Sequence, residues 1–399
     1  MHWTTALSRN PDPEQAIEEL SQTVLNDSAS PPDLLFLFVS EHFRAHFNTL
    51  PARLMKHLPC DTLIGCSASG VIGDKREVEF QPAMSLVAAA LPGVRLDGWH
   101  IEQKDLGPGT EHSRKCALLA ERLASEPAQF IILTDPFTFP TEQLLHALEG
   151  GFEQAVIAGG LASGTGGPGE TALFLNRTTY HSGGLVLSLS GDLEMGTAVA
   201  QGCRPIGEPL FITALDNTTI LELDGRRPLQ VLHDLYQRSG ETDRRLMRHS
   251  LFLGTAMRPG DNKYDQGDFL IRNLMGADQK NGTISAATHL YLNQIVQFHV
   301  RDAKTSAEDL DHVLHRTRAD YPQSMPAGAV LFSCTGRGEG LYGESGHDSA
   351  GFRKQMGQIP LGGFFCNGEI GQVGGKAFLH GYTSCFALFQ PQSNKRKSS

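Results

Sequence analysis

Nine side chains in this sequence have types and settings that could hold a small zwitterion: Ser67, Ser69, Arg272, Asn273, Arg301, Arg337, Asn367, Glu369 and Tyr382. A guanidinium grips a carboxylate through two parallel N–H bonds, and a glutamate accepts an ammonium. Several of the nine stand beside glycine at the end of a short apolar run. Leu63-Ile64 leads into Gly65-Cys66-Ser67-Ala68-Ser69-Gly70, AVLFSCTG leads into Arg337, and Phe364-Phe365-Cys366 leads into Asn367-Gly368-Glu369. A strand end aims a side chain from a rigid scaffold, and small neighbours leave room for a ligand. One pocket lined by Ser67, Arg337, Asn367 and Glu369 is therefore expected. Arg301, next to Asp302, equally suits an ion pair within its domain, and Glu369 also suits a turn cap.

Other chemistries have thinner support. Cys66, or Cys334 paired with His380, could supply a thiolate nucleophile, which needs a nearby base and partial exposure; a buried structural thiol is the commoner role. His181 or His380 could ligate a non-covalent haem b, since there is no CxxCH for attachment. Gly338 to Gly343 formally matches GxGxxG, but no acid stands about 20 residues on to hold a ribose. Gly159 to Gly169 is followed by a strand and not by a helix, so it reads as a turn and not a phosphate cradle. No cofactor is thus expected from the motifs themselves.

The elements that must position these residues are short strands separated by glycine. Ile359 to Phe389 reads as a Gly-Gly pair, a short apolar run, a polar tip, a Gly-rich turn and two further strands. Val156 to Leu189 repeats that order. Before each copy come a strand (FIILTDP, AVLFSCTG) and a helix (Glu142–Glu149, Ser349–Met356), and before these another helix, Glu111–Leu123 or Ala307–Arg316, by apolar spacing. Strands Met84–Leu91 and Gln294–Val300 come earlier still. The pattern predicts an α/β fold of two similar mixed halves from an internal duplication, with largely antiparallel sheets covered by helices. Leu34 to Val39 (LLFLFV) is apolar throughout, as in a sheet covered on both faces.

At 399 residues the chain suits two domains better than one core. A formal net charge of −10 argues against a nucleic-acid partner. No apolar run approaches the roughly 18 residues of a membrane span, and the N-terminus lacks a signal pattern. Seven scattered cysteines, without a CxxC pair, suit reduced thiols in the cytoplasm and not a disulfide framework or zinc ribbon.

Five ordered motifs carry a resemblance. GCSASGVIGD, GCRPIGEPLFIT with its following ELDG, VQFHVRDAKTSAEDL, AVLFSCTGRG and GGFFCNGEIGQVGG…HGYT together resemble the FIST domain family, from about Leu34 to Phe389. The resemblance implies a FIST N-terminal domain over 1–200, a FIST C-terminal domain over 201–390 and a disordered tail over 391–399. It implies an intracellular sensory module, without catalysis, that binds a small ligand such as an amino acid; some relatives are haem-binding gas sensors. With no output domain in the chain, a separate signalling protein is the implied partner.

Overall fold

The computed structural model describes residues 1–27, 30–107, 115, 119, 123, 128–152, 154–258, 260 and 263–392. Two compact units divide the chain. One is built from Met1–Val199, Asp311–Leu379 and the last strand, Ser384–Pro391; the other from Ala200–Leu310 with His380–Tyr382. Residues 201–390 therefore serve both units. The tail expectation, apart from Pro391 and Gln392, lies outside the described residues.

The first unit uses one six-strand pattern three times. The first copy is β1 (His2–Ser8), β2 (Leu34–Ser40), β3 (Thr62–Ala68), β4 (Gly70–Gly73), β5 (Arg76–Glu79) and β6 (Met84–Ala90). The second is β7 (Val94–Ile101), β8 (Gln129–Thr134), β9 (Ile157–Leu161), β10 (Leu173–Leu175), β11 (Thr178–Tyr180) and β12 (Gly184–Gly191). The third opens with β13 (Leu193–Ala200) and is then interrupted by the strands of the other unit. Those are β14 (Cys203–Asp216), β15 (Thr219–Leu223), β16 (Leu251–Ala256), β17 (Phe269–Asp278), β18 (Thr283–Ala286) and β19 (Ile295–Arg301). The third copy resumes with β20 (Gly328–Cys334), β21 (Leu361–Cys366), β22 (Glu369–Val373), β23 (Lys376–His380) and β24 (Ser384–Pro391).

Helices follow the first and second strands of a copy: Pro13–Asp27 and Leu50–His57 in the first, Thr141–Gly151 in the second, Ala303–Ala319 and His347–Met356 in the third. The expected helix Glu111–Leu123 lies outside the described residues except at Lys115, Leu119 and Leu123. The fold is the mixed α/β arrangement that the pattern predicts. From their first helix onward the two copies read from sequence are the second and third, but the strands expected to open them belong elsewhere, Met84–Leu91 to β6 of the first copy and Gln294–Val300 to β19 of the other unit. The first copy adds one more instance, beginning at β1.

Each copy gives its fourth and fifth strands away. The sheets run β1-β6-β2-β3-β10-β11, β7-β12-β8-β9-β22-β23 and β13-β24-β20-β21-β4-β5. Hairpin β4–β5 thus completes the third copy's sheet, β10–β11 the first's, and β22–β23 the second's. In every sheet the parallel pair at the centre (β2–β3, β8–β9, β20–β21) is flanked by antiparallel strands.

Side-chain alternation then divides the core. Leu34, Phe36 and Phe38 of β2 enter a central cluster with Ile131 and Leu133 of β8 and Val330 and Phe332 of β20. Leu35, Leu37 and Val39 face the other way, into a cluster with Ile17, Leu20 and Val24 of the first helix and Leu50 and Leu54 of the second. Both faces of the strand are covered, which explains its unbroken apolar run.

The parallel pairs share one steric requirement. Gly65 lies opposite Leu37, Gly159 opposite Ile132, and Gly363 opposite Leu331. A Cβ at any of the three would stand 1.9 Å from the partner's carbonyl oxygen. Gly65 shows the same collision without the unusual backbone angle of the other two, so close approach is what demands glycine.

The second unit is a closed barrel, β14-β15-β18-β17-β16-β19. Ile212, Ile220, Leu223, Leu253, Val296 and Phe298 fill it, and helices Pro228–Arg238 and Glu241–His249 belong to the same unit. The charged stretch Arg238 to Arg248 is mostly the second of these helices, and that helix buries no residue. Among the described residues no helix is long and apolar enough to cross a membrane.

Replacing Gly159 by Ala should destabilise the protein by about 3 kcal/mol or more, at the top of the overpacking range, because backbone and not a yielding side chain blocks the methyl. Ala at Gly166, where an added Cβ meets nothing within 4 Å, should cost less than about 0.5 kcal/mol. Urea midpoints of the two variants test the difference.

Candidate functional site

Two of the strand ends that the sequence pointed to are joined through a third, Ser163, within the first unit. Ser69, Ser163 and Asn367 each stand four residues beyond the shared glycine. The Ser69 N–H donates to Ser163 Oγ at 2.9 Å, and the Ser163 hydroxyl donates to the Phe365 carbonyl. Asn367 donates from Nδ2 to the Ala162 carbonyl at 3.3 Å. Ser67 Oγ accepts the Ala172 N–H at 3.1 Å and donates to the Ser163 carbonyl at 3.2 Å. Ser67, Arg337 and Glu369 are 0% exposed, whereas Asn367 is exposed. These polar groups tie three strand ends together.

Glu369 breaks the repeat. Opposite the shared glycines the hairpins place Phe174, Ile370 and Ile72; one step away stand Leu173 opposite Cys66, Val71 opposite Phe364, and Glu369 opposite Gly160. Two copies are apolar at that position and the third carries an acid. Its Oε2 accepts the Thr383 N–H at 3.0 Å and the Thr383 hydroxyl at 2.5 Å, and Oε1 lies 3.5 Å from Cys366 Sγ. Burial pushes this carboxyl up to about 7 despite those donors. Burial also pushes the Cys66, Cys366 and Cys385 thiols up, with Glu369 adding to the rise for the last two. Such thiols are poor nucleophiles. The six described cysteines are unbridged; Cys116 lies outside the described residues.

Arg337 is engaged by the protein itself. Its Nε donates to Asp348 Oδ2 at 2.7 Å, and Nη2 donates to Asp348 Oδ1 at 3.0 Å and to the Tyr342 hydroxyl at 2.5 Å. Ser333 and Ser384 add hydroxyl donors to the same carboxylate. Burial alone would push the Asp348 carboxyl up; Arg337, His347 and Ser384 outweigh it and hold the group well below the ordinary range.

The four other sequence candidates all lie in the barrel unit, and three of them touch one another there. The Tyr382 hydroxyl donates to Asn273 Oδ1 at 2.5 Å, and the Arg301 guanidinium stands 5.0 Å from the Tyr382 ring centre. The Arg272 Nη1 donates to the Ile271 carbonyl at 3.3 Å. Cys334 and His380 fall in different units. Both ring nitrogens of His181 are engaged, with the Thr171 carbonyl at 2.7 Å and Asn48 Oδ1 at 2.8 Å, so this histidine does not fit an axial haem position.

A cavity of about 380 Å³ lies beside hairpin β4–β5 and the helix His347–Met356. Lys75, Arg76, Glu77, Glu79, Glu339 and Arg353 are among its lining residues. Glu77 is only 5% exposed. Its Oε1 accepts the Ser349 N–H at 2.7 Å, while its buried Oε2 has no hydrogen-bond partner among the described residues. Burial, reinforced by the Asp348 charge, pushes Glu77 up to about 7. The hairpin tip is unusual too. Asp74 and Lys75 hold φ of 43° and 64°, where the equivalent turn of the third copy has Gly374 and Gly375 at 60° and 81°. A left-handed conformation costs a non-glycine residue about 1–2 kcal/mol, and such cost gathers at functional sites. Sequence reasoning missed this place; the signal was a tight turn written Asp-Lys where glycine fits best.

The family model of the FIST N domain matches residues 33–226, and that of the FIST C domain matches residues 228–372. An uncharacterised protein of Mycobacterium tuberculosis is 33% identical over 386 residues, 96% of this chain and 98% of the relative. Another, from Mycobacterium bovis, is 32% identical over 382 residues, 95% of this chain and 96% of the relative. An F-box/LRR-repeat protein of Arabidopsis thaliana is 22% identical over 463 residues, 96% of this chain and 84% of the relative.

A raised carboxyl in the folded state contributes stability below its unfolded value, about 4.5 for Glu369, and that contribution is lost as pH rises through about 7. Changing Glu369 to Gln should therefore move the stability difference in the variant's favour by roughly 3 kcal/mol between pH 4.5 and 8. Urea denaturation of parent and variant across that range reads it; parallel curves would disprove the assignment.

Proposed function

The chain belongs to the FIST family, and on that premise we propose that it is a sensory module that binds a small amino-acid-like ligand in the cavity beside Lys75 and Glu77. FIST domains are regarded as small-ligand sensory domains of signalling proteins. The observation that carries the ligand site is the unmet Oε2 of Glu77. A buried carboxylate oxygen without a donor costs about 1–3 kcal/mol, and a ligand ammonium supplies that donor. The Lys75 ammonium and the Arg76 guanidinium, both exposed at the cavity wall, suit the ligand's carboxylate. At about 380 Å³ the space falls near the lower end of the roughly 300–1,000 Å³ of small-molecule sites.

The output passes to a separate signalling protein in this reading, and the module is not catalytic; the thiols pushed up by burial are in keeping with that. A reducing cytoplasm suits the six unbridged described cysteines.

Thermal-shift screening with the twenty amino acids should give a shift that corresponds to about 2.7 kcal/mol at 100 times the dissociation constant. Glu77→Gln should remove it while the unliganded fold survives. Because Glu77 charges near pH 7, binding should tighten as pH rises from 6 to 8. An undiminished shift in Glu77→Gln would overturn the site.

A further inference from the structure

A second cavity, of about 220 Å³, adjoins the first. The two share Lys75 and Arg353 in their linings, and Arg353 Nη1 donates to the Lys75 carbonyl at 2.7 Å. These two cations therefore form a waist between two compartments. The second is walled by Trp3, Thr5, Asp74 and the apolar stretch Ile359–Leu361. Trp3 is 3% exposed and stacks on Phe389 with ring centres 4.6 Å apart. Its buried Nε1 has no acceptor among the described residues. Tryptophan N–H groups usually find a partner when buried, so this vacancy has the same meaning as the one on Glu77, with the opposite polarity.

The two unmet groups complement each other. One compartment lacks a donor at a carboxylate; the other lacks an acceptor at an indole N–H and is bounded by apolar side chains. Between them stand two cations suited to carbonyl or carboxylate oxygens, and Asp74 at the second compartment can accept an N–H. A free amino acid answers the first compartment only. A peptide unit offers a C=O and an N–H together, with an ammonium before it and an apolar side chain after it.

We infer that the ligand is a short peptide with a free amino terminus, its first residue in the Glu77 compartment and its second, apolar residue in the Trp3 compartment. The peptide oxygen faces Lys75 and Arg353, and an oxygen of the second residue meets Trp3 Nε1. This rests on the ligand site proposed above and adds a specificity that free amino acids lack. The unusual Asp74–Lys75 turn is explained at the same time, since it gives Asp74 to one compartment and shares Lys75 between both.

Calorimetric titration with the twenty amino acids and with the twenty Xaa-Leu dipeptides tests it. The favoured dipeptide should bind at least about tenfold more tightly than its amino-terminal amino acid alone, in line with one further satisfied buried donor. Thr5→Phe, which fills the second compartment, should erase that advantage and leave amino-acid affinity unchanged. Trp3→Phe keeps the ring and removes the N–H, so it should reduce dipeptide affinity severalfold with no effect on the amino acid. Equal affinity for dipeptide and amino acid in the parent, or equal losses for both in Thr5→Phe, would overturn the inference and leave the Glu77 site standing. Binding of neither by the parent would overturn both.

Discussion

A close backbone approach, repeated in three parallel strand pairs, governs the arrangement of the first unit. At Gly65, Gly159 and Gly363 a strand comes so near its parallel neighbour that no Cβ fits beneath the carbonyl oxygen. Those contacts set the register of β2–β3, β8–β9 and β20–β21, and a slip of one residue would turn every side chain to the wrong face. The strand ends four residues on then fall into reach of one another, and Ser163 can hold Ser69 and the Phe365 carbonyl together. A requirement met by the absence of a side chain thus decides where the polar groups are delivered.

Exchange of hairpins among the three sheets places parts of different copies side by side. Hairpin β4–β5 belongs to the first copy but borders β21 of the third. Glu77 accordingly meets Ser349 across 272 residues of chain, and the cavity opens between elements of two copies. The copies are alike in strand order and differ in what they carry. Where two hairpins put Val71 and Leu173, the third puts Glu369; where one turn uses Gly374-Gly375, another uses Asp74-Lys75. Departures of this kind have a physical cost, in desolvation for the acid and in backbone conformation for the turn, and nothing in the repeat itself requires them.

Buried charge links the cavity to the core. Asp348 is held ionised by Arg337, and its charge adds to the burial that keeps Glu77 hard to ionise. Ser349, next in the chain, donates its N–H to Glu77. A cationic group arriving at Glu77 therefore acts on a carboxylate already coupled to the Arg337–Asp348 pair, to which Ser333 of β20 and Ser384 of β24 also donate. The coupling runs through groups shielded from water, where charge interactions are least screened.

The sequence alone determined the local elements and the family. LLFLFV had to be a strand buried on both faces, because every position is apolar over a strand's length. The Gly-Gly openings marked the second and third copies, since glycine is needed wherever backbones crowd. Five ordered motifs carried the FIST resemblance. Tertiary structure decided which charges were available. Arg337 looked like a ligand contact because its neighbours are glycines, but Asp348, brought back by a helix, satisfies it. Glu77 sat unremarked in a short polar hairpin, and only exchange of that hairpin into another copy's sheet buries it against the helix His347–Met356. Whether a charge is paired depends on partners that the chain delivers from far away. Local sequence records the group's chemistry, and the long-range contacts that satisfy it or leave it open exist only in the fold.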